Sequence, residues 1–196
     1  MKKNIIIGLL ATMFVGVGLF AYTQMTIKDV TDATGPTEKL MINGLSFAVP
    51  SGWTVTRGFS EEKEPPYLLH NSEYAPISKK PPTATEMENQ LKSGLEIRVG
   101  SIPVDVNSGL QSAELAQQAF MEGAAECSDC EQVQAKTLAG VPATFMVRNA
   151  NDYGGNASYA VYYDGHIFSV SIAYTDTYKK HKAVFDEFLK SVTFVK

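Results

Sequence analysis

SYAVYYDGHIFSVSIAY, residues 158–174, decides the fold. Asp164-Gly165 supplies the two positive-φ positions of a tight turn, and β-branched and aromatic residues run on both sides of it. Ser158 to Asp164 and His166 to Tyr174 therefore read as an antiparallel hairpin. Working upstream, Ala143 to Asn149 and Gln132 to Leu138 read as two further strands. Downstream, Tyr178, His181, Phe185, Phe188 and Leu189 recur at helical spacing within Thr177 to Lys190, and Ser191 to Val195 closes as a strand. Strands joined by hairpins exclude an all-parallel sheet.

The first half is β-rich as well. LMINGLSFAVPSGWTVT carries two short apolar runs across Asn43-Gly44, then a break at Pro50-Ser51-Gly52 before Trp53, Val55 and Arg57. Leu95, Ile97 and Val99 alternate with Glu96, Arg98 and Gly100, which predicts a strand with one wet face. Ser112 is placed to cap a helix running to about Ala125, with Ala116, Ala119, Phe120 and Gly123 along one side. Residues 60–93 hold five of the nine prolines among polar residues, and only Tyr67 to Leu69 can pair there as a strand. The expected class is α+β, a central antiparallel sheet covered by helices.

Length and composition set the domain count. At 196 residues with 44% apolar and 19% charged side chains, the chain suits one domain plus a short appendage. The appendage is N-terminal. Lys2 and Lys3 precede an uncharged run from Asn4 through Tyr22, long enough to cross a bilayer as a helix. The reading is a signal anchor over residues 1–23, entering the membrane through residues 5–23, in preference to a cleaved signal peptide, because the apolar run is long and Thr23 ends a poor cleavage site. Residues 24–38 form a linker and 39–196 the domain, placed on the outer side of an inner membrane, or free in the periplasm if the segment is cut. Taking Lys2 and Lys3 from the 17 basic residues leaves 15 against 21 acids, a formal charge of −6. Nucleic acid is therefore not expected as a partner.

Several short motifs resemble one family. Phe47-Ala48-Val49-Pro50-Ser51-Gly52-Trp53, Ala139-Gly140-Val141-Pro142-Ala143, Tyr162-Tyr163-Asp164-Gly165-His166-Ile167-Phe168 and the run Phe185 to Phe194 are similar, in that order, to PsbP-like (Mog-type) domains, a superfamily that includes DcrB-like envelope proteins. The resemblance spans residues 40–195. It implies an α/β/α sandwich around an antiparallel sheet, with Trp53 between sheet and helix and Phe185, Phe188 and Phe194 sealing the final helix. It implies a binding or assembly module, and no enzyme motif carries over. The Pro-rich stretch at 60–93 looks longer than the corresponding loop of the family.

Little chemistry is evident. Cys127-Ser128-Asp129-Cys130 follows a helix instead of opening one, and Glu126, Asp129 and Glu131 disfavour a thiolate, so a structural disulfide is preferred over a redox site. Two cysteines cannot form a four-thiolate zinc site, and His70, His166 and His181 lie in no recognisable ligand or catalytic setting. Asn149, Asn151, Asp152 and Asn156 around Gly154-Gly155 suit a turn better than a calcium loop, lacking EF-hand spacing. No catalytic, cofactor or metal residue is assigned. The expected function is a membrane-anchored, non-catalytic envelope module that binds a protein partner or assists assembly. The alternatives are a small-ligand carrier, or a thiol-redox accessory using Cys127 and Cys130.

Overall fold

The computed structural model describes residues 38–57, 65–71, 94–104, 110, 112–151 and 154–195. The expected anchor, most of the linker and most of the stretch 60–93 lie outside the described residues. Among the described residues no helix is long and apolar enough to cross a membrane.

Among the described residues, ten strands and two helices follow in the order β1 (Lys39–Ile42), β2 (Leu45–Ala48), β3 (Thr54–Arg57), β4 (Tyr67–His70), β5 (Glu96–Pro103), α1 (Ala113–Ala124), β6 (Cys130–Leu138), β7 (Val141–Asn151), β8 (Gly154–Tyr163), β9 (His166–Tyr174), α2 (Tyr178–Lys190) and β10 (Thr193–Phe194). Three two-residue turns set the hairpin registers. Asn43-Gly44, Ala139-Gly140 and Asp164-Gly165 all have positive φ at both positions, as such turns require. Gly44 is also sterically committed, since a Cβ there would stand 3.0 Å from the Val195 carbonyl oxygen.

The main sheet has seven strands in the order β3-β4-β5-β9-β8-β7-β6, and every pairing is antiparallel. A second sheet, β1-β2-β10, was not foreseen from sequence. The closing strand joins β2 there instead of the main sheet, and the Ala48 amide donates to Ser191 Oγ at 3.0 Å, which fastens the end of α2 to β2.

The two faces of the main sheet differ in chemistry. One face carries the apolar rows Val55, Leu69, Ile97, Ile172, Ala157, Val147 and Tyr67, Val99, Val170, Tyr159, Phe145, all buried in one core with the small sheet and α2. Phe185 and Phe188 reach into that core from α2. Trp53 and Phe194 stand at its margin, only partly buried. Trp53, expected between sheet and helix, packs against this core just before β3, which is an edge strand among the described residues.

The other face is covered over β6, β7 and β8 by α1, through Ala116, Phe120 and Ala124 at four-residue spacing. These meet Ala160 and Ile167 in a smaller cluster. Ser112 caps the helix, accepting from the Leu115 amide at 3.3 Å.

Candidate functional site

The second face has a polar half. Register pairing aligns Thr54, His70, Glu96, Ala173, Asn156, Arg148 and Cys130 in one row across all seven strands. The next row includes Thr56, Arg98, Ser171 and Ser158. Glu96, expected on a wet face, is 2% exposed. Its position in the third strand of seven places it between His70 and Ala173, and Arg98, two residues along the same face, pairs with Glu96 Oε1. Glu96 Oε2, Thr56 Oγ1 and Asn156 Oδ1 are buried with no hydrogen-bond partner among the described residues. Burial pushes the His70 imidazole below its ordinary pKa, while the Glu96 charge pulls it back in part.

At the far end of the row lies the cysteine pair. Cys127 and Cys130 are bonded to each other, with Cα atoms 5.5 Å apart. The bridge sits where α1 ends and β6 begins. The Cys127 amide donates to the Ala124 carbonyl at 3.1 Å, so the first cysteine continues the last turn of a helix. Asp129 forms an ion pair with Arg148 of β7. Carboxylates and a helix C-terminus both oppose a thiolate, so the surroundings are those of a structural bridge. The two sulfurs lie close to the Asp129 carboxylate, but sulfurs joined to each other offer a metal no thiolate.

β6 is the outer strand of the main sheet, nine residues long, and α1 runs beside it. Gln117 Nε2 donates to the carbonyl oxygens of Lys136, at 2.8 Å, and Ala143, pinning α1 over the seam between β6 and β7. Thr144 Oγ1 donates back to the Gln117 carbonyl at 3.1 Å. Gln117, Ala135, Lys136 and Thr137 line a shallow open groove of about 480 Å³ between helix and edge. Lys136 turns to the other face, its ammonium 3.9 Å from the centre of the Phe145 ring, and burial lowers its pKa.

The remaining sequence candidates are scattered. His166 follows the β8–β9 turn, its Nδ1 3.0 Å from the Asp164 carbonyl oxygen. His181 and Lys180 both pair with Asp176, and these contacts hold its carboxyl at a pKa of about 2, Lys180 contributing most. Of the asparagine-rich group, Asn156 stands in the β8 ladder between Ala173 and Arg148; Asp152 lies outside the described residues. The polar row was missed at the sequence level. Its signal was the second face of Ser158, Ser169 and Ser171 next to Glu96 and Arg98, visible only once the strand order is known.

The architecture is α+β, an antiparallel sheet with two helices among the described residues. No protein-family description and no curated protein matches the sequence. Solved structures do match. LpqN of Mycobacterium tuberculosis, described as involved in cell envelope biogenesis, is similar over 86% of this chain and 90% of its own, with a TM-score of 0.50 and 11% identity. A cyanobacterial PsbP, CyanoP of Synechocystis sp. PCC 6803, covers 88% of this chain and 97% of its own, at a TM-score of 0.47 and 10% identity. A protein of Bacteroides thetaiotaomicron VPI-5482 covers 82% of this chain, which spans 49% of that one, at a TM-score of 0.46 and 11% identity. At these identities the likeness to LpqN is one of fold.

Proposed function

We propose that this protein is a non-catalytic, envelope-associated binding module, held by its N-terminal segment and presenting its domain outside the cytoplasm to a protein partner. The observation that carries the reading is the open edge of β6 beside α1, a long strand with a groove along it. Strand edges of this kind are bound by extended chains in many recognition domains. The apolar run after Lys2 and Lys3, the Cys127–Cys130 bridge and a fold shared with a protein involved in cell envelope biogenesis support the location.

Photocrosslinking in living cells tests the reading. A photoreactive residue at Thr137, on the open edge, is compared with one at Lys180, on α2 across the sheet. A discrete adduct from position 137 alone supports a partner surface there. Matching adduct patterns from both positions, or none from either, would sink the proposal.

A further inference from the structure

We infer that β6 and the adjoining flank of α1 receive an extended, basic segment of the partner, which adds to the main sheet as an eighth strand. This rests on the reading of the chain as a binding module and supplies the chemistry of what is bound.

The backbone comes first. The Ala139-Gly140 turn closes on the pair Leu138 and Val141, so Leu138, Lys136, Gln134 and Gln132 direct their N–H and C=O groups toward β7. Val133, Ala135 and Thr137 direct theirs outward, where no strand among the described residues meets them. Edges are normally shortened or blunted by proline or charge. The opposite edge, β3, follows that rule with four residues. β6 has nine and no proline; its bulge is confined to the start, between Cys130 and Gln132, and its one lysine is drawn away over Phe145.

The side chains then define the segment. Gln117 marks the flank of α1 that faces β6, and Glu114 and Met121, at i−3 and i+4 from it, share that flank. A chain laid along β6 would send alternate side chains toward this flank and the others toward Gln132 and Gln134. Glu114 on that flank and Glu131 at the start of β6 are acidic, within a sequence interval that holds no cation. From Val99 through Ala135 the sequence has no Lys or Arg, and Glu114, Glu122, Glu126, Asp129 and Glu131 all fall in that interval. Arg148 matches Asp129. The other four carboxylates are on exposed residues and make no ion pair among the described residues. Lys or Arg at every second position of an incoming strand meets this field, whereas an acidic strand is repelled.

The test uses the full-length chain in non-ionic detergent micelles, labelled with nitrogen-15. The probes are three capped octapeptides: (Lys-Thr)4, (Glu-Thr)4, and (Lys-Thr)4 with alternate backbone amides methylated. The expected result is that (Lys-Thr)4 shifts the Val133, Ala135 and Thr137 amides and slows their exchange. Two weak exposed charge pairs, at Glu114 and Glu131, multiply to about fivefold tighter binding than (Glu-Thr)4. That preference should shrink as salt rises and in the Glu114→Gln/Glu131→Gln variant, whose changes fall on exposed side chains. Equal binding of the two unmethylated peptides, no binding by either, or indifference to amide methylation overturns the inference. So does protection of the same amides by concentration-dependent dimerisation, which would give the edge to a second copy. A Thr137 crosslink in cells without (Lys-Thr)4 binding refutes the basic strand and leaves the binding module standing; absence of both refutes both.

Discussion

Replacing Arg98 by Met should cost far more than removing the same ion pair entirely. Glu96 is 2% exposed, one carboxylate oxygen is held by Arg98, and the other has no hydrogen-bond partner among the described residues. Taking Arg98 away leaves a buried carboxylate without its cation, a change that costs about 3–5 kcal/mol in buried pairs. The Arg98 side chain is itself 23% exposed, so water reaches part of the pair and the expectation falls to the low end, about 3 kcal/mol. The double variant Glu96→Met/Arg98→Met removes both charges and keeps the side-chain volumes similar. It should lie within about 1 kcal/mol of the parent, because no charge remains to desolvate. Urea unfolding followed by the fluorescence of Trp53, the chain's single tryptophan, measures all three proteins. If Arg98→Met costs under about 1 kcal/mol, or the double variant costs as much as the single one, Glu96 does not depend on Arg98 for its charge and the reasoning fails.

Gly44→Ala should lose about 1–2 kcal/mol, from the left-handed φ of 87° and the approach of its Cβ to Val195, read as a lower melting temperature. His70 should make stability fall with acid. Its folded pKa lies below the ordinary value of 6.5, so the unfolded chain binds the proton first, and stability complete above that value is lost as pH falls through it toward the folded pKa. Urea midpoints at several pH values between 8 and 5 should therefore drop in the parent and drop less in His70→Gln; equal slopes would remove His70 from the account. Cys127→Ala/Cys130→Ala should cost about 2 kcal/mol or less, since a bridge closing so few residues restrains little chain entropy, and calorimetry of the two proteins checks it.

The fold was legible where local chemistry and tertiary packing agree. Asp164-Gly165 and Asn43-Gly44 fix their hairpins through backbone geometry that few other residue pairs accept, and α1 and α2 show their apolar stripes without help from the rest of the chain. Legibility failed where position in the sheet decides. Nothing in the last strand says that it pairs with β2 and not with the main sheet, because two residues of pairing carry almost no pattern. Trp53, a core residue by type, packs against the core at its margin, and nothing in its local sequence shows that the strand after it lies at a sheet edge.

The same limit applies to the site. Alternation along β5 separates Glu96 and Arg98 from Ile97 and Val99, and it is natural to assign the charged side to water. Glu96 is nevertheless buried, with His70 beside it on one side and the serines of β9 and β8 near it on the other. The open edge is hidden for a related reason. The residues of β6 that face outward, Val133, Ala135 and Thr137, are ordinary strand residues, and only the order of strands shows that their backbone groups meet no strand among the described residues. What the sequence does carry is the charge beside them, an interval without Lys or Arg that coincides with α1 and the start of β6. A helix that needed only to cover the sheet could carry either sign on its outer surface. An acidic flank next to an edge that runs straight from Gln132 to Leu138, past the bulge at its start, is a combination that covering a core does not require and that recruiting a basic strand does.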